Sequence, residues 1–129
     1  MAEKQARALG KFFEGEAKKY LEKHGMRCID RNYTVRGGEL DLVLRDGVYW
    51  VFAEVKARRS VNFGTPAEFV TPEKQRRLCI AAQMYMMENC IDAPCRFDIV
   101  EILYQTDAEE KVKNMKFNHI QNAFEGMLK

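Results

Sequence analysis

Two short charged runs, Glu39 to Asp41 and Glu54 to Lys56, carry the side chains best suited to metal-ion chemistry. Asp46 and Gly47 lie between the runs, inside apolar and β-branched segments, and such a dipeptide predicts a β-hairpin that brings them together. Carboxylates and an ammonium group on a buried sheet are costly unless they pair with each other or hold a cation. The pattern therefore indicates a site for a divalent metal ion.

The hairpin geometry assigns the two faces of the sheet. With Asp46 and Gly47 as the central turn residues, Glu39 is expected opposite Glu54, and side chains alternate between faces. The predicted charged face contains Glu39, Asp41, Phe52, Glu54 and Lys56. The opposite face is apolar and is expected to lie on a core, with Leu40, Leu42, Leu44, Val51, Ala53, Val55 and Ala57.

This register makes Asp41 and Glu54 diagonal neighbours, about 7–8 Å apart at the backbone, so that both carboxylates can reach one cation. Glu39 opposite Glu54 is an unfavourable like-charge pair that Mg²⁺ or Mn²⁺ would offset, because hard cations bind carboxylate oxygens and keep waters for substrate phosphates. The alternative interpretation is a salt bridge from Lys56 to Glu54 or Asp41 on an exposed strand.

The remaining chain predicts the order α-β-β-β-α-β-β, which is typical of an α/β or α+β fold with helices packed on a central sheet. Apolar spacing predicts a helix over residues 3–24, ended by Gly25, and a helix from Pro72 to about Glu88 with Thr71 as its N-cap. The predicted strands cover residues 26–35, 39–45, 48–58, 96–104 and 112–119, with a loop at 62–66 and a short helix over 120–127.

Composition limits the class of protein. A chain of 129 residues with 47% hydrophobic residues predicts one globular domain over residues 1–129. No apolar run follows a basic start and no stretch approaches the ~20 apolar residues that span a bilayer, so we expect a cytoplasmic protein without a signal peptide or membrane segment. The four cysteines form no Cys-x-x-Cys pair and are expected to be reduced thiols; zinc at Cys90 and Cys95 is the weaker alternative.

The charged runs resemble a known metal site. Gly38-Glu39-Leu40-Asp41-Leu42, followed by Ala53-Glu54-Val55-Lys56, resembles the Asp and Glu/Asp-x-Lys motif of the restriction-endonuclease-like superfamily, although Leu40 stands where that superfamily often has proline. Nearly the whole chain resembles the YraN family of small bacterial proteins, which are described as predicted endonucleases similar to archaeal Holliday-junction resolvases. The additional matching segments are Gly15-Glu16-Ala17, Arg31-Asn32-Tyr33, Phe63-Gly64-Thr65-Pro66, Val70-Thr71-Pro72-Glu73-Lys74, Arg96-Phe97-Asp98 and His119-Ile120-Gln121-Asn122-Ala123-Phe124.

The resemblance implies an α-β-β-β-α-β core with a central mixed sheet between helices, and a Mg²⁺- or Mn²⁺-dependent nuclease with one or two ions. Asp41 and Glu54 would bind metal, and Lys56 would position the attacking water and stabilise charge on the phosphate. Glu16 matches a further acidic residue of resolvase-like proteins; its other interpretation is an ordinary exposed helix residue. Resolvase-like nucleases generally act as dimers, which implies a homodimer to which methionines 84, 86 and 87 could contribute.

Basic residues near the motif predict contacts with a phosphate backbone, and the expected partner is DNA, including branched DNA. They are Arg31, Arg36, Arg58, Arg59, Lys74, Arg76 and Arg77, and the alternative for the helical ones is a solvated surface. Two other functions stay open. One is a non-catalytic nucleic-acid-binding module that keeps the nuclease fold, and the other is a structural protein whose charged residues form a salt bridge.

Overall fold

The computed structural model describes residues 2–59 and 70–125. The element order is α1 (Ala2–Lys23), β1 (Arg27–Val35), β2 (Gly38–Asp46), β3 (Tyr49–Arg59), α2 (Pro72–Glu88), β4 (Cys95–Thr106) and β5 (Val112–Phe124). This confirms the predicted α-β-β-β-α-β-β order. The predicted loop at 62–66 lies outside the described residues.

The five strands form one mixed sheet in the spatial order β1-β2-β3-β4-β5. Three neighbouring pairs are antiparallel, and β3 and β4 are parallel because the chain returns through α2 between them. The α/β class and the central mixed sheet are therefore confirmed.

Each helix covers one face of the sheet. Phe13, Ala17 and Leu21 of α1 recur at helical spacing and pack in one buried cluster with Leu42, Leu44, Val51, Ala53, Val100 and Ile102. On the other face, α2 contributes Leu78, Cys79, Ala81, Ala82 and Tyr85 to a cluster with Leu40, Val43, Phe52, Phe97 and Ile99. Neighbouring strand residues such as Val43 and Leu44 thus face opposite helices, as strand alternation requires.

Sequence signals at the helix ends are confirmed. The hydroxyl of Thr71 accepts a hydrogen bond from the Lys74 backbone N–H at 3.2 Å, and Pro72 begins α2. The turn between β1 and β2 approaches α2 closely. A Cβ added at Gly38 would lie 2.1 Å from the backbone oxygen of Arg77, so only glycine fits there. This contact holds the start of β2 against the first turns of α2.

The predicted hairpin register is wrong by two residues. The observed pairs are Arg45 with Trp50 and Leu42 with Ala53, so that Gly47 and Val48 are the central turn residues. Gly47 has φ +61°, and a glycine with positive φ at the first central position suits a type II′ turn. A shift of two residues leaves the faces of β3 unchanged.

Two further predictions need correction. Leu40 packs on the α2 side although Leu42 packs on the α1 side, so the alternation predicted for β2 breaks between them. The predicted helix over 120–127 is wrong for residues 120–124, which continue β5. Phe124 pairs with Phe97 and stacks on its ring with centroids 4.8 Å apart, because this extended conformation buries aromatic surface that a helix would expose.

Candidate metal and nucleic-acid site

The hairpin strands separate where the acidic residues lie. Pairing between β2 and β3 ends at Leu42 and Ala53, and Glu39 pairs with Thr34 of β1 instead of facing Glu54. The separation leaves the backbone N–H of Val55 without a strand partner on β2. The carboxylate of Asp41 accepts that hydrogen bond at 2.8 Å and so lies beside β3. The opening in the sheet therefore begins at Asp41.

Two cavities meet at this opening. The α1-side cavity, of about 390 Å³, is lined by the carboxylates Glu14, Glu39, Asp41 and Glu54 together with Ala6, Leu9, Gly10, Phe13, Val55, Ala57 and Tyr104. The α2-side cavity, of about 430 Å³, is lined by Glu39, Glu54, Thr71, Glu73, Lys74, Arg77 and Leu78. Glu39 and Glu54 belong to both, so the acidic cluster stands where the cavities join.

Burial disfavours the charged form of Asp41. Desolvation is the largest effect and raises the pKa of Asp41 to about 7, although the Val55 N–H opposes it. The neighbouring carboxylates of Glu14, Glu54 and Glu39 raise this pKa further. Asp41 is therefore a carboxyl group that gains from a nearby cation at neutral pH.

Glu54 and Glu14 share this environment. Burial raises the pKa of both side chains above the ordinary glutamate value. Lys74 and then Lys56 oppose the shift at Glu54, whereas a hydrogen bond with Asn32 and the charge of Arg31 oppose it at Glu14. Within the described residues, Oε2 of Glu54 and Oε1 of Glu14 are buried without a hydrogen-bond partner. A buried acceptor without a hydrogen bond lowers the stability of the folded state.

The acidic residue that α1 brings to the cluster is Glu14. Glu16, the residue implied by the resemblance, lines neither cavity and lies 3.6 Å from the Lys19 ammonium. Sequence reasoning missed Glu14, although helical spacing contains the signal. Glu14 shares a helix face with Gly10 and Ala17, which stand one turn before and after it.

The two lysines near Glu54 occupy different places. Lys74, in the first turn of α2, lines the α2-side cavity, and its charge is the larger of the two lysine effects on the Glu54 pKa. Lys56 lies two residues after Glu54 on β3 and is half-buried, but it lines neither cavity. The structure thus brings Asp41, Glu54 and Lys74 to the cavities, whereas Lys56 is not among their lining residues.

The predicted phosphate-contacting arginines are spread around this region. Arg58 forms a largely buried ion pair with Glu101 at 2.9 Å, and Arg59 lies 3.7 Å from Glu110 on the surface. Arg36 is exposed in the turn between β1 and β2, and Arg76 is exposed on α2 outside both cavities. Arg77 lines the α2-side cavity. The cationic side of the candidate site is therefore Lys74 and Arg77.

A second charged network lies away from the cavities. Asp98 on β4 is 1% exposed, and its carboxylate accepts from the Arg96 guanidinium at 3.0 Å and from the Asn122 backbone N–H at 3.0 Å. Nε2 of His119 lies 2.7 Å from Asp98, and Arg96 also contacts Asp46 at 2.8 Å. These contacts hold the pKa of Asp98 below its ordinary value despite burial. Through these contacts the network connects β4 with β5 and with the turn between β2 and β3.

The described residues contain no group of three histidine, cysteine, aspartate or glutamate side chains already arranged to hold a metal ion. The four cysteines are free thiols. No helix in the described part of the chain is both long and apolar enough to cross a membrane.

The architecture and the acidic opening define a helix-flanked α/β protein with a carboxylate-lined cleft. The chain belongs to the family described as Uncharacterised protein family UPF0102, whose model matches residues 13–102. It is 42% identical over 117 residues to the UPF0102 protein HEAR0176 of Herminiimonas arsenicoxydans, covering 91% of this chain and 86% of that relative. It is also 42% identical over 120 residues to the UPF0102 protein STH1475 of Symbiobacterium thermophilum, covering 92% and 98%.

Proposed function

We propose that this protein is a divalent-metal-dependent nuclease that hydrolyses phosphodiester bonds in DNA at the opening between β2 and β3. The observation that carries the proposal is the cluster of half-buried carboxylates with raised pKa values, Asp41, Glu54 and Glu14, which share one cavity. Burying like charges together is unfavourable in a purely structural role. The resemblance to the restriction-endonuclease-like superfamily and its YraN members supports the same function.

The side chains present fit Mg²⁺ or Mn²⁺. Both ions take carboxylate oxygens, and the unpartnered buried oxygens of Glu54 and Glu14 are ligands of this type. Asp41 and Glu54 would hold the ion, with Glu14 as the third carboxylate in place of Glu16. A bound divalent ion supplies a nucleophile from water and neutralises charge on the phosphate.

The other residues of the site have separable roles in this proposal. The Val55 N–H orients the Asp41 carboxylate, because it holds Oδ2 and leaves the second oxygen for the cavity. Lys74 and Arg77 attract the phosphate backbone from the α2 side. Lys56 is the lysine of the Glu54-Val55-Lys56 motif, and its charge stabilises the Glu54 carboxylate. Arg36, Arg59 and Arg76 extend the positive surface.

The alternative is a nucleic-acid-binding module that retains the nuclease fold without turnover. Two observations favour it: the described carboxylates do not form a ready three-ligand group, and Lys56 lies outside both cavities. The cation pair Lys74 and Arg77 serves this function equally well, so binding alone does not separate the two.

The test is cleavage of labelled duplex, flap and four-way-junction DNA in Mg²⁺ or Mn²⁺, with wild type, Asp41→Asn and Lys56→Ala purified in parallel. Cleavage by wild type that both substitutions abolish supports the nuclease. Equal cleavage by all three identifies a contaminant and removes the support for the assignment. Salt-dependent binding of DNA without cleavage supports the binding module instead.

Two features of the setting complete the proposal. We place the protein in the cytoplasm, because that compartment contains DNA and keeps cysteine thiols reduced. We also include a homodimer formed through α2, because Met87 is 74% exposed and Met84 is 41% exposed on that helix. Sedimentation of wild type and Met87→Lys measures this: a dimer that dissociates in the variant agrees with the proposal, and a wild-type monomer contradicts it.

A further inference from the structure

The α1-side cavity has an aromatic end as well as an acidic one. The rings of Phe13 and Tyr104 lie 4.6 Å apart at 39° beside the cavity, with Phe13 buried and Tyr104 half-buried. Phe12 contacts Phe13 edge to face at 5.2 Å and is itself 44% exposed. Glu14 follows Phe13 directly in α1, and both residues line this cavity.

The charges of this cavity exclude an anion from its aromatic end. Among the described residues that line it, four are carboxylates and none is a lysine or arginine. The cationic residues Lys74 and Arg77 line the α2-side cavity instead. A flat group without negative charge fits the aromatic end, and the divalent ion of the proposed function would hold the attached phosphate at the carboxylates.

Gly10 is an exposed residue of α1 that lines the same α1-side cavity. It lies inside α1, where glycine is less favourable than alanine by about 1 kcal/mol, yet a Cβ at this position meets no atom within 4 Å. Packing against the protein therefore does not require glycine there. A larger side chain at Gly10 would extend into the open space of the α1-side cavity, which Gly10 lines together with Phe13.

We propose that the α1-side cavity is a subsite for an unpaired nucleobase, which stacks on Tyr104 while its phosphate lies at Asp41 and Glu54. The inference rests on the proposed function and names its substrate class: DNA with an unpaired nucleotide at the bound position. A base inside a duplex cannot enter such a cavity without leaving the stack, whereas an unpaired base enters at much lower cost. Aromatic stacking accepts any base, so the subsite reads the absence of pairing rather than sequence.

The experiment measures binding of two duplexes in Ca²⁺ buffer, one fully paired and one with a single unpaired 2-aminopurine. Wild type is expected to prefer the second duplex and to quench the 2-aminopurine fluorescence by stacking. Tyr104→Ala should reduce the preference by at least about fivefold. Gly10→Leu should abolish it by filling the cavity, with a fold kept intact because leucine favours helix and meets open space.

Ala8→Leu is the matched control, because it adds the same side chain to an exposed position of α1 that lines neither cavity. It should leave both preference and quenching unchanged. If all four proteins bind the two duplexes equally, the subsite is refuted while the proposed function stands. If wild type binds neither duplex, the subsite and the proposed function both fail.

Discussion

The Asp41 carboxylate accepts a hydrogen bond from the backbone N–H of Val55, the residue that follows Glu54. This side chain replaces a strand-pairing partner at the point where β2 and β3 separate. The separation opens the sheet, and the hydrogen bond keeps Asp41 beside Glu54 across the opening. One contact therefore connects the irregularity of the fold with the position of the acidic cluster.

Asp41→Asn should remove metal binding without unfolding the protein. The amide oxygen still accepts from Val55, and loss of a buried charge should leave the melting temperature at pH 8 in metal-free buffer equal or higher. Mg²⁺ should raise the melting temperature of wild type, and this rise should be absent from Asp41→Asn. Cleavage should fall by at least about 100-fold.

Thermal unfolding with and without Mg²⁺ measures the first two effects. Asp30→Asn, on exposed β1 surface, is the control and should keep the Mg²⁺ response. An undiminished Mg²⁺ response in Asp41→Asn would show that the ion binds elsewhere.

Glu14 and Glu16 offer a matched pair on one helix. Glu14→Gln should weaken Mg²⁺ binding by about 10- to 100-fold, because Glu14 lines the cavity with Asp41 and has an unpartnered buried oxygen. Glu16→Gln should leave the affinity unchanged, since Glu16 lines neither cavity and pairs with the exposed Lys19. Isothermal titration with Mn²⁺ compares the two variants, and the opposite ranking would restore Glu16 to the site.

The pKa of Asp41 predicts how stability and metal affinity depend on pH. Asp41 keeps its proton up to about pH 7 in the folded protein but only to about pH 4 in the unfolded chain. The folded state therefore binds more protons between these values, and metal-free stability should fall as pH rises through this window. The raised pKa values of Glu14 and Glu54 act in the same direction.

Metal affinity should change in the opposite sense, because the ion binds the deprotonated carboxyl groups. Mg²⁺ affinity should increase as pH rises and level off above about pH 7. Urea unfolding across pH 4–8, with Asp41→Asn alongside, measures the stability effect. An equally steep slope in the variant would assign the titration to another group.

Lys74 should contribute more to DNA binding than Arg76, although both lie in the first turns of α2. Lys74 lines the α2-side cavity beside Glu54, and Arg76 lies outside both cavities. Lys74→Met should weaken binding and lower the salt slope by about one, while Arg76→Met should change both less. Fluorescence anisotropy over a NaCl series gives the slopes, and equal slopes for the two variants would argue against this cavity as the phosphate path.

The sequence predicted the elements better than it predicted their register. Alternation and capping signals gave the α-β-β-β-α-β-β order, and the faces of β3 followed from Glu54 and Phe52. The register depends on whether the two central turn residues are Asp46 and Gly47 or Gly47 and Val48. The Asp46-Gly47 dipeptide alone does not distinguish these two turns. The opening at Asp41 depends on packing between the helices and the sheet, which local patterns do not encode. Helical spacing places Glu14 on the face of Ala17, but it does not show that this face meets Asp41.

The buried Asp98 network should contribute stability rather than activity. Asp98→Asn removes the buried negative charge that faces Arg96 and His119 and leaves Asp46 as the charged partner of Arg96, so the free energy of unfolding should fall by about 2–3 kcal/mol. Asp92→Asn is the control, since Asp92 is exposed, and it should change stability by less than about 0.5 kcal/mol. Urea unfolding at pH 7 measures both variants. Cleavage per folded Asp98→Asn molecule should equal wild type, because Asp98 lines neither cavity, and a loss of turnover in a fully folded sample would connect this network to the site.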